Sequence, residues 1–95
     1  MTAGFTAVRA TFEGHVQGVW FRAWTTDEAV ARGLDGWVRN RADGTVEALF
    51  SGPAKVVEDM IAACRKGPPA ARVTAIRLEP AEAPDETGFR LAPSV

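Results

Sequence analysis

Along residues 53–67, PAKVVEDMIAACRKG, the apolar side chains Val56, Val57, Met60, Ile61 and Cys64 fall at i, i+1, i+4, i+5 and i+8. That repeat draws one apolar stripe along an α-helix and matches no strand. Pro53 stands where a first helical residue is pre-set, and Gly67 followed by Pro68-Pro69 stops the helix. A helix with one apolar stripe needs a second layer to lie on.

The rest of the chain is patterned to supply that layer. In AVRATFE (7–13), Val8, Ala10 and Phe12 alternate with Arg9, Thr11 and Glu13, the signature of a half-buried strand. FRAWTTDEAVARG (21–33) places Phe21, Trp24, Thr25 and Ala29 on one helical side, with Gly33 positioned as a C-cap. Two further strands flank the turn residues Asp43-Gly44: Trp37–Asn40 before and Thr45–Phe50 after. RVTAIRLE (72–79) and GFRLA (88–92) read as the last strands, separated by the polar loop PAEAPDET (80–87). The order β-α-β-β-α-β, with a short extra strand at the end, predicts an α+β ferredoxin-like sandwich: an antiparallel sheet with two helices on one face. Residues 1–95 are expected to form a single domain. That fold hosts many activities and decides none of them.

Composition narrows the field. The chain is 46% apolar and 24% charged with a net charge of −1, the profile of a soluble globular protein without a basic field for nucleic acid or an anionic membrane. Cys64 is the single cysteine, so neither an internal disulfide nor a multi-cysteine metal site can form, and a reducing cytoplasm fits. No stretch approaches the ~18 apolar residues of a membrane span. The opening MTAGFTAVRATFEG lacks the basic and apolar regions of a signal peptide.

Between the first strand and first helix lies GHVQGVWFR (14–22). A strand-loop-helix junction turns successive backbone N–H groups into one concave space, where they suit an anion. Gly14 and Gly18 permit the required close approach, and Arg22 adds a guanidinium fork that matches two phosphate oxygens. A plain connecting loop followed by a surface arginine is the competing reading of the same residues. Asn40, before the hairpin, carries one acceptor and two donors and can hold a water and a phosphoryl oxygen together. Taken alone, it reads more often as turn chemistry.

Gly14-His15-Val16-Gln17-Gly18-Val19-Trp20-Phe21-Arg22 resembles the first signature of the acylphosphatase family. Gly33-Leu34-Asp35-Gly36-Trp37-Val38-Arg39-Asn40, followed by Asp43-Gly44-Thr45-Val46-Glu47, resembles the second. Gly67–Val73 and Gly88-Phe89 are similar to later parts of the same family. The resemblance implies a ferredoxin-like fold and hydrolysis of small acyl phosphates to a carboxylate and inorganic phosphate, with no metal and no organic cofactor. It implies that Arg22 binds phosphate and Asn40 orients the attacking water. The amides of His15, Val16, Gln17, Gly18, Val19 and Trp20 form the cradle, Gly14 supports it, and Thr45 helps secure Asn40. His15 and Arg41 fall on variable positions. A small-molecule substrate, no nucleic acid or membrane partner, a monomer and a cytoplasmic location complete the expectation.

Other chemical residues read as structural. His15 is a solvated loop residue, since a mechanism built on positioning needs no base. Cys64 is a buried, inert thiol on the helix stripe. Trp20, Trp24 and Trp37 are core or rim packing, with Trp20 beside the cradle where an acyl group would pass. Two rivals stand against the hydrolase: a phosphate-binding module without turnover, and an RNA-binding ferredoxin-like domain. The second lacks paired exposed aromatics on the central strand.

Overall fold

The computed structural model describes residues 4–95. The elements follow as β1 (Phe5–His15), α1 (Phe21–Ala31), β2 (Asp35–Asn40), β3 (Val46–Pro53), α2 (Ala54–Lys66), β4 (Arg72–Pro80) and β5 (Phe89–Leu91). The strands form one sheet in the order β4-β1-β3-β2-β5, with α1 and α2 packed on it. This is the ferredoxin-like α+β architecture that the periodicities predict.

Register explains the layering. In the β1–β3 ladder Val8, Ala10 and Phe12 stand opposite Phe50, Ala48 and Val46. All six therefore share the helix-covered face, and only Val8 is not fully buried. From above, α2 contributes Val57, Met60, Ile61 and Cys64, and α1 contributes Phe21, Thr25 and Ala29 at i, i+4 and i+8. Phe12 and Phe21 meet with ring centroids 5.2 Å apart, joining the first strand to the first helix. A Phe12→Ala change at this junction would cost about 3–5 kcal/mol. Pro53 ends β3 and caps α2 instead of forming its first turn, a shift of one position. Gly33 closes α1 as expected: its N–H reaches the carbonyl of Val30 and that of Leu34 reaches Ala29, the double bond of a Schellman stop.

The sheet departs from the antiparallel expectation at one edge. β1, β3, β4 and β2 pair antiparallel, but β5 runs parallel to β2. The reason is geometric. Residues 81–88 carry the chain from the β4 edge to the opposite one and reverse it, and a strand antiparallel to β4 must run parallel to β2. Asp35 pins the arrival, accepting a 2.7 Å hydrogen bond from the Gly88 N–H. Beyond β5 the chain continues along β2, with the Ala92 N–H on the Val38 carbonyl and the Val95 N–H on the Asn40 carbonyl.

Candidate active site

The loop of interest begins with a break in the ladder. The β1–β4 register shifts between Glu13 and Gly14. Gly14 has φ +121°, and a Cβ there would stand 2.1 Å from the Arg72 carbonyl oxygen, so only glycine fits. The bulge lets β1 continue to His15, which pairs with Arg72. His15 is thus an exposed residue at the end of the strand, one position before the loop proper.

Residues 16–20 then leave the sheet. Val16 and Val19 are buried in the core and anchor the loop by its side chains. Gly18, at φ +75° with open space around its Cα, lets the intervening backbone arch outward. Trp20 ends the loop in the left-handed region, φ 67°, as the N-cap of α1. A tryptophan cannot accept from the first-turn N–H groups as serine or aspartate would, so those amides remain open to a ligand.

The first turn of α1 meets the end of β2 here. Asn40 alternates with Gly36 and Val38 and therefore faces the helix side of the sheet. An open cavity of about 380 Å³ lies between them, lined by Val16, Gly18, Trp20, Phe21, Arg22, Ala23, Asn40 and Leu91. Arg22 and Asn40, eighteen positions apart in sequence, share it. Arg22 is half-buried, and among the described residues its side chain forms no salt bridge. Among the described residues the Asn40 Oδ1 is buried with no hydrogen-bond partner. A buried, unpaired acceptor costs about 1–3 kcal/mol unless something donates to it, so it marks a place for a water or a ligand.

Of the expected cradle residues, Val16, Gly18 and Trp20 line the cavity, whereas His15, Gln17 and Val19 do not. Gln17 has another task. Its Nε2 donates to the carbonyls of Arg41 (2.8 Å) and Thr45 (2.9 Å), tying the loop to the β2–β3 hairpin that carries Asn40. Sequence reading assigned Gln17 only an amide; its side-chain role depends on which loops meet, which no local pattern reports. Thr45 also differs from expectation. Its hydroxyl and its N–H both donate to Asp43 Oδ1, at 2.6 and 3.0 Å, so among the described residues it shapes the turn and makes no hydrogen bond to the Asn40 side chain. Those two bonds, with Arg41 nearby, hold the Asp43 carboxyl below its usual range. Phe21, Ala23 and Leu91 join the cavity without a sequence signal.

The remaining chemical residues stand apart. Cys64 is fully buried in α2, and burial pushes its thiol up to about 12. Trp24 packs on Phe21 with centroids 5.8 Å apart, and Trp37 lies beneath the Arg39 guanidinium at 4.5 Å on the open face of the sheet. Trp20 is neither core nor packed rim; it is 81% exposed. Among the described residues no three His, Cys, Asp or Glu side chains gather as metal ligands.

Known proteins share this fold. A model of the family described as acylphosphatase matches residues 8–91. An acylphosphatase of Rhodospirillum rubrum is 61% identical over 82 residues, covering 86% of this chain and 90% of that protein. The structure of an acylphosphatase from Coxiella burnetii superimposes with a TM-score of 0.87 at 32% identity, covering 93% of each chain. That of the Bacillus subtilis acylphosphatase gives 0.86 at 34% identity, covering 94% of this chain and 99% of that one. With a family model over most of its length and relatives at this identity, the chain belongs to the acylphosphatase family.

Proposed function

We propose that Arg22 and the amides of the 16–20 loop and first turn of α1 hold the phosphoryl group of an acyl phosphate while Asn40 orients the water that attacks it. The reaction is R–CO–O–PO₃²⁻ plus water giving a carboxylate and inorganic phosphate. One observation carries the assignment of roles. Among the described residues, an arginine without a salt bridge, open helix-start amides and a buried, unpartnered amide oxygen converge on a single cavity.

The chemistry needs little more. The leaving carboxylate has a conjugate acid of pKa about 4, so it departs without a general acid. Phosphoryl transfer then depends on alignment and on stabilising the charge spread over the equatorial oxygens. The guanidinium fork and the amides supply that charge stabilisation. Asn40 Oδ1 accepts a hydrogen from the water, aiming its lone pair at phosphorus, while Nδ2 is free to donate to a phosphoryl oxygen. No residue is required as a base, and none of the steps calls on a metal or an organic cofactor.

The same reading places a monomer in the cytoplasm, acting on a small molecule without a nucleic-acid or membrane partner. In support, no helix among the described residues is long and apolar enough to cross a membrane. On the open face Arg9, Arg39 and Arg41 gather around Glu47, and Arg39 covers Trp37, which leaves little there for a nucleic acid. Hydrolysis of benzoyl phosphate in EDTA tests the function. Fast turnover by the parent protein, with folded Arg22→Ala and Asn40→Ala variants nearly inactive, is the expected result. Turnover abolished by EDTA would overturn metal independence. A folded parent that binds phosphate without hydrolysing acyl phosphates would make the cavity a binding module.

A further inference from the structure

With its buried lining residues taken as the inner end and its exposed ones as the mouth, the cavity has two ends of different chemistry. At the inner end lie the buried Val16, Phe21 and the Asn40 Oδ1. At the mouth are three exposed apolar side chains: Trp20 at 81%, Leu91 at 51%, and the small Ala23. In-line displacement puts the leaving group opposite the attacking water. With the water at Asn40 in the inner end, the acyl group must face the mouth.

We propose that Trp20 and Leu91 form an acyl subsite selecting acyl phosphates with a flat, apolar acyl group, such as an aroyl phosphate, over those with a small one. The inference rests on the acyl phosphate reading above and adds its substrate class. Trp20 is a poor choice for any structural task at its position. A bulky residue with φ 67° is strained, and an indole four-fifths exposed contributes little to the core. An indole face at the mouth does offer a rigid platform for stacking a ring. Leu91 reaches the site only because β5 lies parallel beside β2, opposite Val38. Its side chain lines the same cavity as Trp20 and the small Ala23.

The test compares kcat/KM for benzoyl phosphate and acetyl phosphate in the parent protein, Trp20→Ala, Trp20→Phe and Leu91→Ala. The variant-to-parent change in that ratio cancels the intrinsic reactivity of the two anhydrides. Expected is a fall of about tenfold in Trp20→Ala, the low end for losing apolar contact because the site is open. Leu91→Ala should shift the ratio less, and Trp20→Phe should restore most of it. A loss of general loop integrity would lower both substrates in parallel and weaken inhibition by inorganic phosphate, leaving the ratio where it was. A ratio unchanged in both alanine variants overturns the subsite. Hydrolysis of acetyl phosphate alone by the parent overturns it too, while leaving the acylphosphatase reading intact. Hydrolysis of neither substrate overturns both.

Discussion

Two concave regions of the molecule are rich in arginine, and they are built on opposite rules. On the open face of the sheet Arg9, Arg39, Arg41 and Arg77 share a depression with Glu47, Glu79 and Asp43. Each arginine there has a carboxylate within 4 Å, and Glu47 alone meets three of them while almost fully buried. At the other region Arg22 stands without a salt bridge among the described residues, between apolar walls and beside an unsatisfied amide oxygen. The first arrangement neutralises its charge internally and stabilises a face of the sheet. The second leaves its charge and its hydrogen-bonding capacity unmet by the described residues, as the proposed phosphate site requires. The contrast teaches that arginine count says little; the state of the partners distinguishes a structural guanidinium from a functional one.

Exchanging single residues between these roles gives the largest expected effects. Arg22→Gln should lower kcat for benzoyl phosphate by about 10²–10³, as when a preorganised charge donor is lost, with weaker inhibition by phosphate. Arg77→Gln on the open face should leave turnover at the parent value. Equal losses in the two variants would erase the distinction. Glu47→Gln probes the converse. It leaves the surrounding arginines without their shared anion and should cost about 1–3 kcal/mol in urea unfolding, because they remain partly solvated. Its turnover at 25 °C should stay close to that of the parent. A stability unchanged by Glu47→Gln would show that the open-face network contributes nothing.

How much of this was legible in the residues depends on whether a feature is local. The stripe from Val56 to Cys64, the alternation Val8-Ala10-Phe12 and the Asp43-Gly44 turn are local patterns, and each appears in the structure as its element. Arg22 and Asn40 were legible as a pair only through the two motifs that carry them. The parallel seating of β5 was not, because it follows from the direction of β4 and the reversal at 81–88. Leu91 as a cavity wall follows from that seating and was equally hidden. Thr45 was assigned to Asn40, but an aspartate two residues back in a turn is a nearer acceptor for both its N–H and its hydroxyl. Local competition of that kind is visible in a sequence once it is looked for.

Gln17 offers a finer test because it belongs to neither concavity yet fastens the loop of one to the hairpin of the other. Its amide donates to two backbone carbonyls, each bond contributing about 1 kcal/mol. Gln17→Ala should therefore lower stability by about 1–2 kcal/mol and reduce kcat more than it raises the phosphate inhibition constant. Gln17→Glu should be worse than alanine at neutral pH, since a carboxylate would face two carbonyl oxygens with no proton to give. If alanine and glutamate behave alike, the side chain does not make this bridge in solution.

Asp43 gives the smallest effect and the one that bears most directly on the boundary between the two regions. Its carboxylate lines the open-face depression, yet the turn it organises ends the strand that presents Asn40. The Thr45 hydroxyl and N–H, followed by Arg41, hold its pKa below the usual aspartate value in the folded protein. A carboxylate depressed on folding contributes stability above its unfolded value, and that contribution is lost as the pH falls through the lower, folded one. The unfolded state binds the proton first, so stability rises with pH across this window. Asp43→Asn should flatten part of the decline below about pH 4, because the variant already lacks the carboxylate's contribution at neutral pH. Glu79, depressed chiefly by its hydrogen bond with Arg9, contributes the same sign at the far edge of the sheet, and Glu79→Gln provides the control. The two carboxylates should separate in activity. Near pH 5, Asp43→Asn weakens the turn behind Asn40 and should lower turnover slightly, whereas Glu79→Gln, distant from the cavity, should change acid stability alone. A turnover loss shared by both variants would mean that the hairpin does not isolate the site from the charge network behind it.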